Sequence, residues 1–190
     1  MYLSLRDGAE VLEADVFGEK VLRLKDGNIL KLFRRKRRIS SASLFPYARR
    51  FVSNAAKLAK MGVPVPKMLW CARIPSIGRD AVLYEPLPGQ TLRELARQGV
   101  DPQRKAVLRA TLTRFVLGLH QKGVYFRSLH IGNVVLTSAG ELGLIDFSDL
   151  RIYPWRLWKG LRLRNVKRIT DVPEERDWID QAAIAAGKLD

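Results

Sequence analysis

Leu119-His120-Gln121-Lys122-Gly123-Val124-Tyr125-Phe126-Arg127-Ser128-Leu129-His130-Ile131-Gly132-Asn133-Val134-Val135-Leu136, followed by Leu144-Ile145-Asp146-Phe147-Ser148, holds most of the structural information in this chain. Two short apolar runs, Asn133 to Leu136 and Leu142 to Ile145, are separated by Thr137-Ser138-Ala139-Gly140. Apolar runs bounded by turn residues predict a β-hairpin. Asn133 stands at its entry and Asp146 at its exit, thirteen residues apart. Taken alone, an asparagine there opens a turn and an aspartate there caps one.

Upstream of the hairpin the pattern is helical. Asp101 is a good N-cap, Pro102 suits a first turn and Gly123 sits just past the end. Val107, Ala110, Leu112, Phe115, Val116 and Leu119 form the expected buried stripe. A shorter helix is predicted from Thr91 to Gln98. At the far end, Asp171 with Glu174 three residues on predicts a capped helix from about Pro173.

The first half reads as strands around one helix. Glu10 to Asp15, Lys20 to Leu24 and Asn28 to Phe33 are short runs rich in Val, Leu and Ile. Asp26-Gly27 supplies the positive φ angles of a tight turn between the last two, and a looser turn around Phe17-Gly18-Glu19 joins the first two, giving an antiparallel meander. From Ser43 to Met61 the apolar residues Phe51, Ala55, Leu58 and Ala59 follow a helical period. Gly62 and the prolines of Val63-Pro64-Val65-Pro66 end it. Strands follow at Lys67 to Ala72 and Asp80 to Tyr84. Glu85-Pro86-Leu87-Pro88-Gly89 leaves no room for regular structure, so the domain boundary is expected there, with one part at 1–88 and another at 89–190. The fold class these elements predict is α+β: a small antiparallel sheet with one helix, then a mostly helical part.

The 190-residue chain carries 34 Lys plus Arg against 19 Asp plus Glu, a net charge of +15. A surplus of that size favours a polyanionic partner. Arg34-Arg35-Lys36-Arg37-Arg38 is one dense block; Arg151 to Thr170 holds seven basic residues and no acidic one. Tyr153-Pro154-Trp155-Arg156-Leu157-Trp158-Lys159 mixes indoles with cations, the composition of a segment at a membrane interface. The same mixture would serve stacking on RNA bases, or a core whose arginines reach outward. No RNA-recognition, KH or helix-turn-helix signature supports nucleic acid. Cys71, the single cysteine, excludes an internal disulfide and a cysteine zinc knuckle. No run approaches 18 apolar residues, so no membrane span is predicted. The N-terminus lacks the apolar run of a signal peptide, and a cytoplasmic location is expected.

The opening stretch resembles the catalytic and metal-binding loops of eukaryotic-like kinases, in the style of aminoglycoside phosphotransferases and bacterial lipopolysaccharide-core sugar kinases. Those proteins read Leu-His-x-x-Gly, then His-Gly-Asp-Leu-His-x-x-Asn, then a hairpin, then Asp-Phe-Gly or a variant. The resemblance implies a two-lobed protein-kinase-like fold with a reduced helical C-lobe, using ATP and magnesium (Mg2+). It implies that Asn133 and Asp146 are the magnesium ligands, since phosphoryl transfer needs oxygen ligands gathered at one ion. Ile29-Leu30-Lys31-Leu32-Phe33 is similar to the strand whose lysine holds the α- and β-phosphates, which makes Lys31 the candidate. Leu83 to Leu92 resembles the hinge, where backbone groups near Glu85 and Leu87 would bond the adenine. The likeness spans roughly residues 10 to 150.

Three departures stand out. Ser128 occupies the position of the catalytic-loop aspartate, and general-base help is worth about 10²–10⁴ in rate. Asn54 lies where an acidic partner of Lys31 is expected. Phe17-Gly18-Glu19 replaces a Gly-rich loop over the phosphates. The narrower likeness, carried by Lys31 to Arg37 and Phe126-Arg127-Ser128-Leu129-His130, is to the short proteins grouped with lipopolysaccharide kinases and often labelled toluene-tolerance proteins. It implies a role in modifying or supporting the lipopolysaccharide core from the inner face of the inner membrane, with an anionic glycolipid or membrane surface as partner. The alternatives are a catalytically impaired pseudokinase regulating envelope assembly and, on charge alone, a basic membrane- or RNA-binding module.

Overall fold

Residues 2–34 and 47–188, the part of the chain the computed structural model describes, form an α+β protein. Two compact units divide it: Met1–Lys60 with Val65–Leu87, and Met61–Pro64 with Pro88–Asp190. The first unit opens with a short helix, α1 (Tyr2–Arg6), then β1 (Glu10–Asp15), β2 (Gly18–Arg23) and β3 (Ile29–Arg34). Helix α2 (Tyr47–Lys60) and the strands β4 (Lys67–Ile74) and β5 (Arg79–Glu85) complete it. The strands make one antiparallel sheet in the order β1-β2-β3-β5-β4, so β3 is central.

The turn between β2 and β3 is built by Asp26. Its carboxylate accepts from the Asn28 backbone N–H at 2.9 Å and from Asn28 Nδ2 at 2.8 Å, while Gly27 takes φ 83°. Period-two alternation then sorts the side chains of β3. Leu30 and Leu32 join Leu22, Leu24, Ile74, Ala81 and Leu83 in a core cluster against which Tyr2 and Leu5 of α1 pack. Lys31 and Phe33 go to the other face, toward Phe51 of α2. Buried Phe51 and Leu58 fix α2 in place, each contributing about 1.5–3 kcal/mol.

The second unit contains β6 (Gln90–Thr91), α3 (Leu92–Gln98), α4 (Pro102–Gln121), β7 (Val124–Phe126), β8 (Val134–Leu136), β9 (Leu142–Leu144), β10 (Leu150–Ile152), α5 (Lys159–Thr170) and α6 (Gln181–Ala186). β8 and β9 are the expected hairpin, extended by β6; β7 pairs with β10. Thr91 and Glu94 close a capping box on α3, and Asp101 caps α4 by accepting from the Arg104 N–H. Gly123, at φ +74°, follows α4 where a Cβ would come within 2.2 Å of the Tyr153 carbonyl oxygen. Only glycine lets that turn press against the segment after β10.

Two expectations are corrected. The stripe of α4 is Leu108, Leu112, Val116 and Leu119, while Val107 and Ala110 face outward. No helix starts at Pro173: the chain makes turns and a 3₁₀ turn at Arg176–Trp178, and α6 starts later with Asp180 as its cap. The cause is tertiary, because Glu175 and Trp178 are both buried and Ile179 is extended between them and Asp180. The basic segment after Arg151 contains a helix, α5, whose Asn165, Val166 and Ile169 face the core. The Ser43 start of the first helix and the Arg35–Arg38 block lie outside the described residues.

Candidate functional site

The pairing of β7 with β10, Phe126 opposite Leu150, starts two loops side by side: the one leaving β7 and the one entering β10. Ser128 lies on the first and Asp149 on the second. Ser128 Oγ donates to Asp149 Oδ2 at 2.6 Å. Asn133 Nδ2 donates to the Ser128 carbonyl at 2.9 Å, and the Asn133 carbonyl accepts from the Ile145 N–H at 3.0 Å. Ser128, Asn133 and the residue before Asp146 therefore belong to one bonded network. Asn133 is only 7% exposed. Asp146 has φ 53°, the only non-glycine positive φ among the described residues. Left-handed backbone is tolerable for aspartate but costs on the order of 1 kcal/mol, and such outliers gather at functional sites.

Asp149 was not legible as a site residue. Nothing in Phe147-Ser148-Asp149 marks it, and only the three-residue β7–β10 pairing brings it to Ser128.

A buried polar chain supports this loop from beneath. Asn165 of α5 donates through Nδ2 to the Phe126 carbonyl at 2.5 Å and accepts at Oδ1 from His120 Nε2 at 2.8 Å. His120 is therefore the Nε2–H tautomer, with Nδ1 buried and without a hydrogen-bond partner. Burial, only partly offset by the Asn165 bond, lowers its pKa to about 4. Between about pH 4 and 6.5 the unfolded chain then binds the extra proton. The stabilisation from neutral His120 is complete above about pH 6.5 and is lost as pH falls toward 4, about 3 kcal/mol in all. Urea denaturation at pH 7 and pH 4.5 should show this loss in the wild type and a much smaller one in His120→Gln.

His130 braces the same loop, accepting at Nδ1 from the Gly132 N–H at 3.1 Å. Burial and the nearby Arg93 guanidinium lower its pKa, so the ring is held neutral. Arg93 is itself paired with the buried Glu175 at 2.7 Å. Beside them Arg93, Arg97, Lys105, Ile131, Glu175 and Trp178 line a cleft of about 610 Å3.

The remaining candidates belong to the first unit. Lys31 Nζ lies 5.5 Å from the Phe51 ring centroid and 5.9 Å from that of Phe33. Asn54, one turn beyond Phe51 on α2, is also buried. Glu85, the last residue of β5, accepts from Lys67 Nζ at 2.8 Å with its side chain at the surface, and Leu87 is half-buried where that unit ends.

Magnesium is suited by oxygen donors, one or two carboxylates with water and phosphate completing the shell. Asp146 offers a carboxylate and Asn133, its amide nitrogen committed to Ser128, an amide oxygen. That donor set fits. Among the described residues no three His, Cys, Asp or Glu side chains gather as a metal cluster.

The aromatic-basic segment is a surface. Trp155 is 57% and Trp158 62% exposed, and Arg151, Arg156, Lys159, Arg164, Lys167 and Arg168 are exposed around them. Tyr153 and Trp155 pack ring to ring at 5.7 Å. Among the described residues no helix is long and apolar enough to cross a membrane. No protein-family model matches the chain, and no curated protein matches it.

Proposed function

We propose that this protein is a two-lobed, kinase-like phosphotransferase that binds ATP with magnesium and acts on, or supports the synthesis of, the lipopolysaccharide core. The observation that carries the reading is the bonded network of Ser128 and Asn133 leading into the strained turn at Asp146, supported by the resemblance of those loops to kinases. Fold-level likeness alone would not license a function. Asn133 and Asp146 would hold magnesium, which supplies charge neutralisation for the transferred phosphoryl group. Lys31 would hold the phosphates, and backbone near Glu85 and Leu87 the adenine. The cleft lined by Arg93, Arg97 and Lys105 would suit an acidic glycolipid headgroup.

Ser128, in place of an aspartate, favours a second reading, a pseudokinase that binds nucleotide and regulates envelope assembly. Differential scanning fluorimetry with ATP, with and without magnesium, tests what both readings share. At a hundredfold excess over Kd, linkage adds about 2.7 kcal/mol, a Tm rise of about 5–10 °C for a protein of this size. No shift at millimolar nucleotide would remove nucleotide from the description.

The exposed Trp155 and Trp158 among cations support a place at the anionic inner leaflet, where each cation near the surface contributes about 1 kcal/mol. Co-sedimentation with anionic vesicles should fall steeply between 20 mM and about 150 mM salt, where the Debye length shortens to about 8 Å. Equal binding to neutral vesicles would contradict this placement.

A further inference from the structure

We infer that Asp149 is the positioning carboxylate of this site, acting through Ser128 to take up the proton of the acceptor hydroxyl. The inference rests on the phosphotransferase reading and goes beyond it by assigning a role to a residue outside the kinase-like motif.

Three observations carry it. Ser128 Oγ and Asp149 Oδ2 are 2.6 Å apart, the short distance of a hydroxyl bonded to a charged acceptor. The other carboxylate oxygen, Asp149 Oδ1, is buried and has no hydrogen-bond partner. Leaving a buried acceptor unmade costs on the order of 1–3 kcal/mol, and such groups in native proteins call for an explanation. Finally, the pair is held rigidly from both sides: the β7–β10 ladder fixes the loop starts, and Asn133 Nδ2 fixes the Ser128 carbonyl.

A serine hydroxyl is no base at neutral pH, but one whose proton already points at a carboxylate presents its oxygen as an acceptor. In the step, the acceptor's oxygen bonds the transferred phosphorus as the bond from phosphorus to the nucleoside diphosphate breaks, the diphosphate keeping the electron pair. The acceptor's proton moves to Ser128 Oγ while the Ser128 proton moves to Asp149 Oδ2. Asp149 ends protonated and releases that proton to solvent before the next turnover. Ser128 thus touches the acceptor, and Asp149 orients it and receives the charge.

The test uses the full chain with magnesium-ATP, water serving as acceptor, and reads phosphate release beside the nucleotide-induced Tm shift. Asp149→Asn keeps the side-chain shape and removes the charge. Expected is a fall in kcat of about 10²-fold with the KM for ATP and the Tm shift unchanged. Moving the carboxylate, by combining Ser128→Asp with Asp149→Asn, should recover most of that loss. Ser128→Asp alone, which sets two carboxylates in contact, should not. Should Asp149→Asn fail to fold, Ser128→Ala decides: it removes the hydroxyl that relays the proton to Asp149, so a comparable fall in kcat with the Tm shift unchanged supports the inference and wild-type kcat overturns it. Wild-type kcat in Asp149→Asn overturns it too, as does a loss in which the KM for ATP rises and the Tm shift shrinks without rescue, the signature of a merely structural staple. Wild type that binds magnesium-ATP without turning it over overturns this inference and leaves the nucleotide-binding reading standing. Wild type without any shift overturns both.

Discussion

Asp146→Asn should lose the magnesium-dependent part of the nucleotide Tm shift entirely, while keeping whatever shift ATP gives alone. Asparagine is the informative replacement because Asp146 sits at φ 53°, a conformation asparagine tolerates and alanine does not. Asp146→Ala would add a backbone penalty of about 1 kcal/mol and blur the result. Removing the single carboxylate of the donor pair leaves a neutral amide pair, a poor site for a small, strongly hydrated dication. Phosphate release should fall below detection in the same variant, since magnesium positions and neutralises the transferred group. An unchanged magnesium-dependent shift in Asp146→Asn would show that the metal is bound elsewhere, and the assignment of Asn133 and Asp146 would fall.

Asn165→Ala should destabilise the protein by about 2–4 kcal/mol. The buried Nε2–H of His120 loses its partner at about 1–3 kcal/mol, the Phe126 carbonyl keeps only the Leu129 N–H at 3.0 Å, and the missing amide leaves a hole beneath the loop. With an m-value of about 2 kcal/mol/M, the urea midpoint should drop by about 1–2 M. Asn165→Asp should be nearly as damaging, because a carboxylate offers the Phe126 carbonyl no donor. A loss below about 1 kcal/mol would mean that the buried bonds are not made in solution.

Local signals carried the strands of the first unit and the β8–β9 hairpin. Asp26-Gly27 reads as a turn because its own side chain builds it, and Asp101 reads as a cap for the same reason. The apolar alternation around Lys31 needs no more than the two faces of a sheet. Where a tertiary partner decides, the sequence was silent or misleading. Asp171 and Glu174 have the spacing of a helix start, yet Glu175 is drawn to Arg93 and Trp178 to the core, and the chain turns instead. The density of cations after Arg151 hid α5, because its buried positions are only Asn165, Val166 and Ile169. Asn133 and Asp146 stood out through a motif. Asp149 depends on strands of three residues each, separated by some two dozen positions, and no window of sequence contains that pairing.

The chain's passage between its two units bears on how it can be dissected. After α2 it leaves the first unit for four residues, Met61–Pro64, then returns for β4, and crosses finally at Leu87–Pro88, three passages in all. During that excursion the Pro64 carbonyl accepts from the Leu144 N–H at 2.9 Å on the outer side of β9, and the Met61 carbonyl accepts from Lys122 Nζ at 2.6 Å. A fragment beginning at Pro88 would therefore carry a hairpin with a bare edge, the kind that recruits strands from other copies. Soluble expression of the second half alone would require supplying residues 61–64 in trans or by circular permutation, and proteolysis at the Pro88 boundary would not release two independent domains.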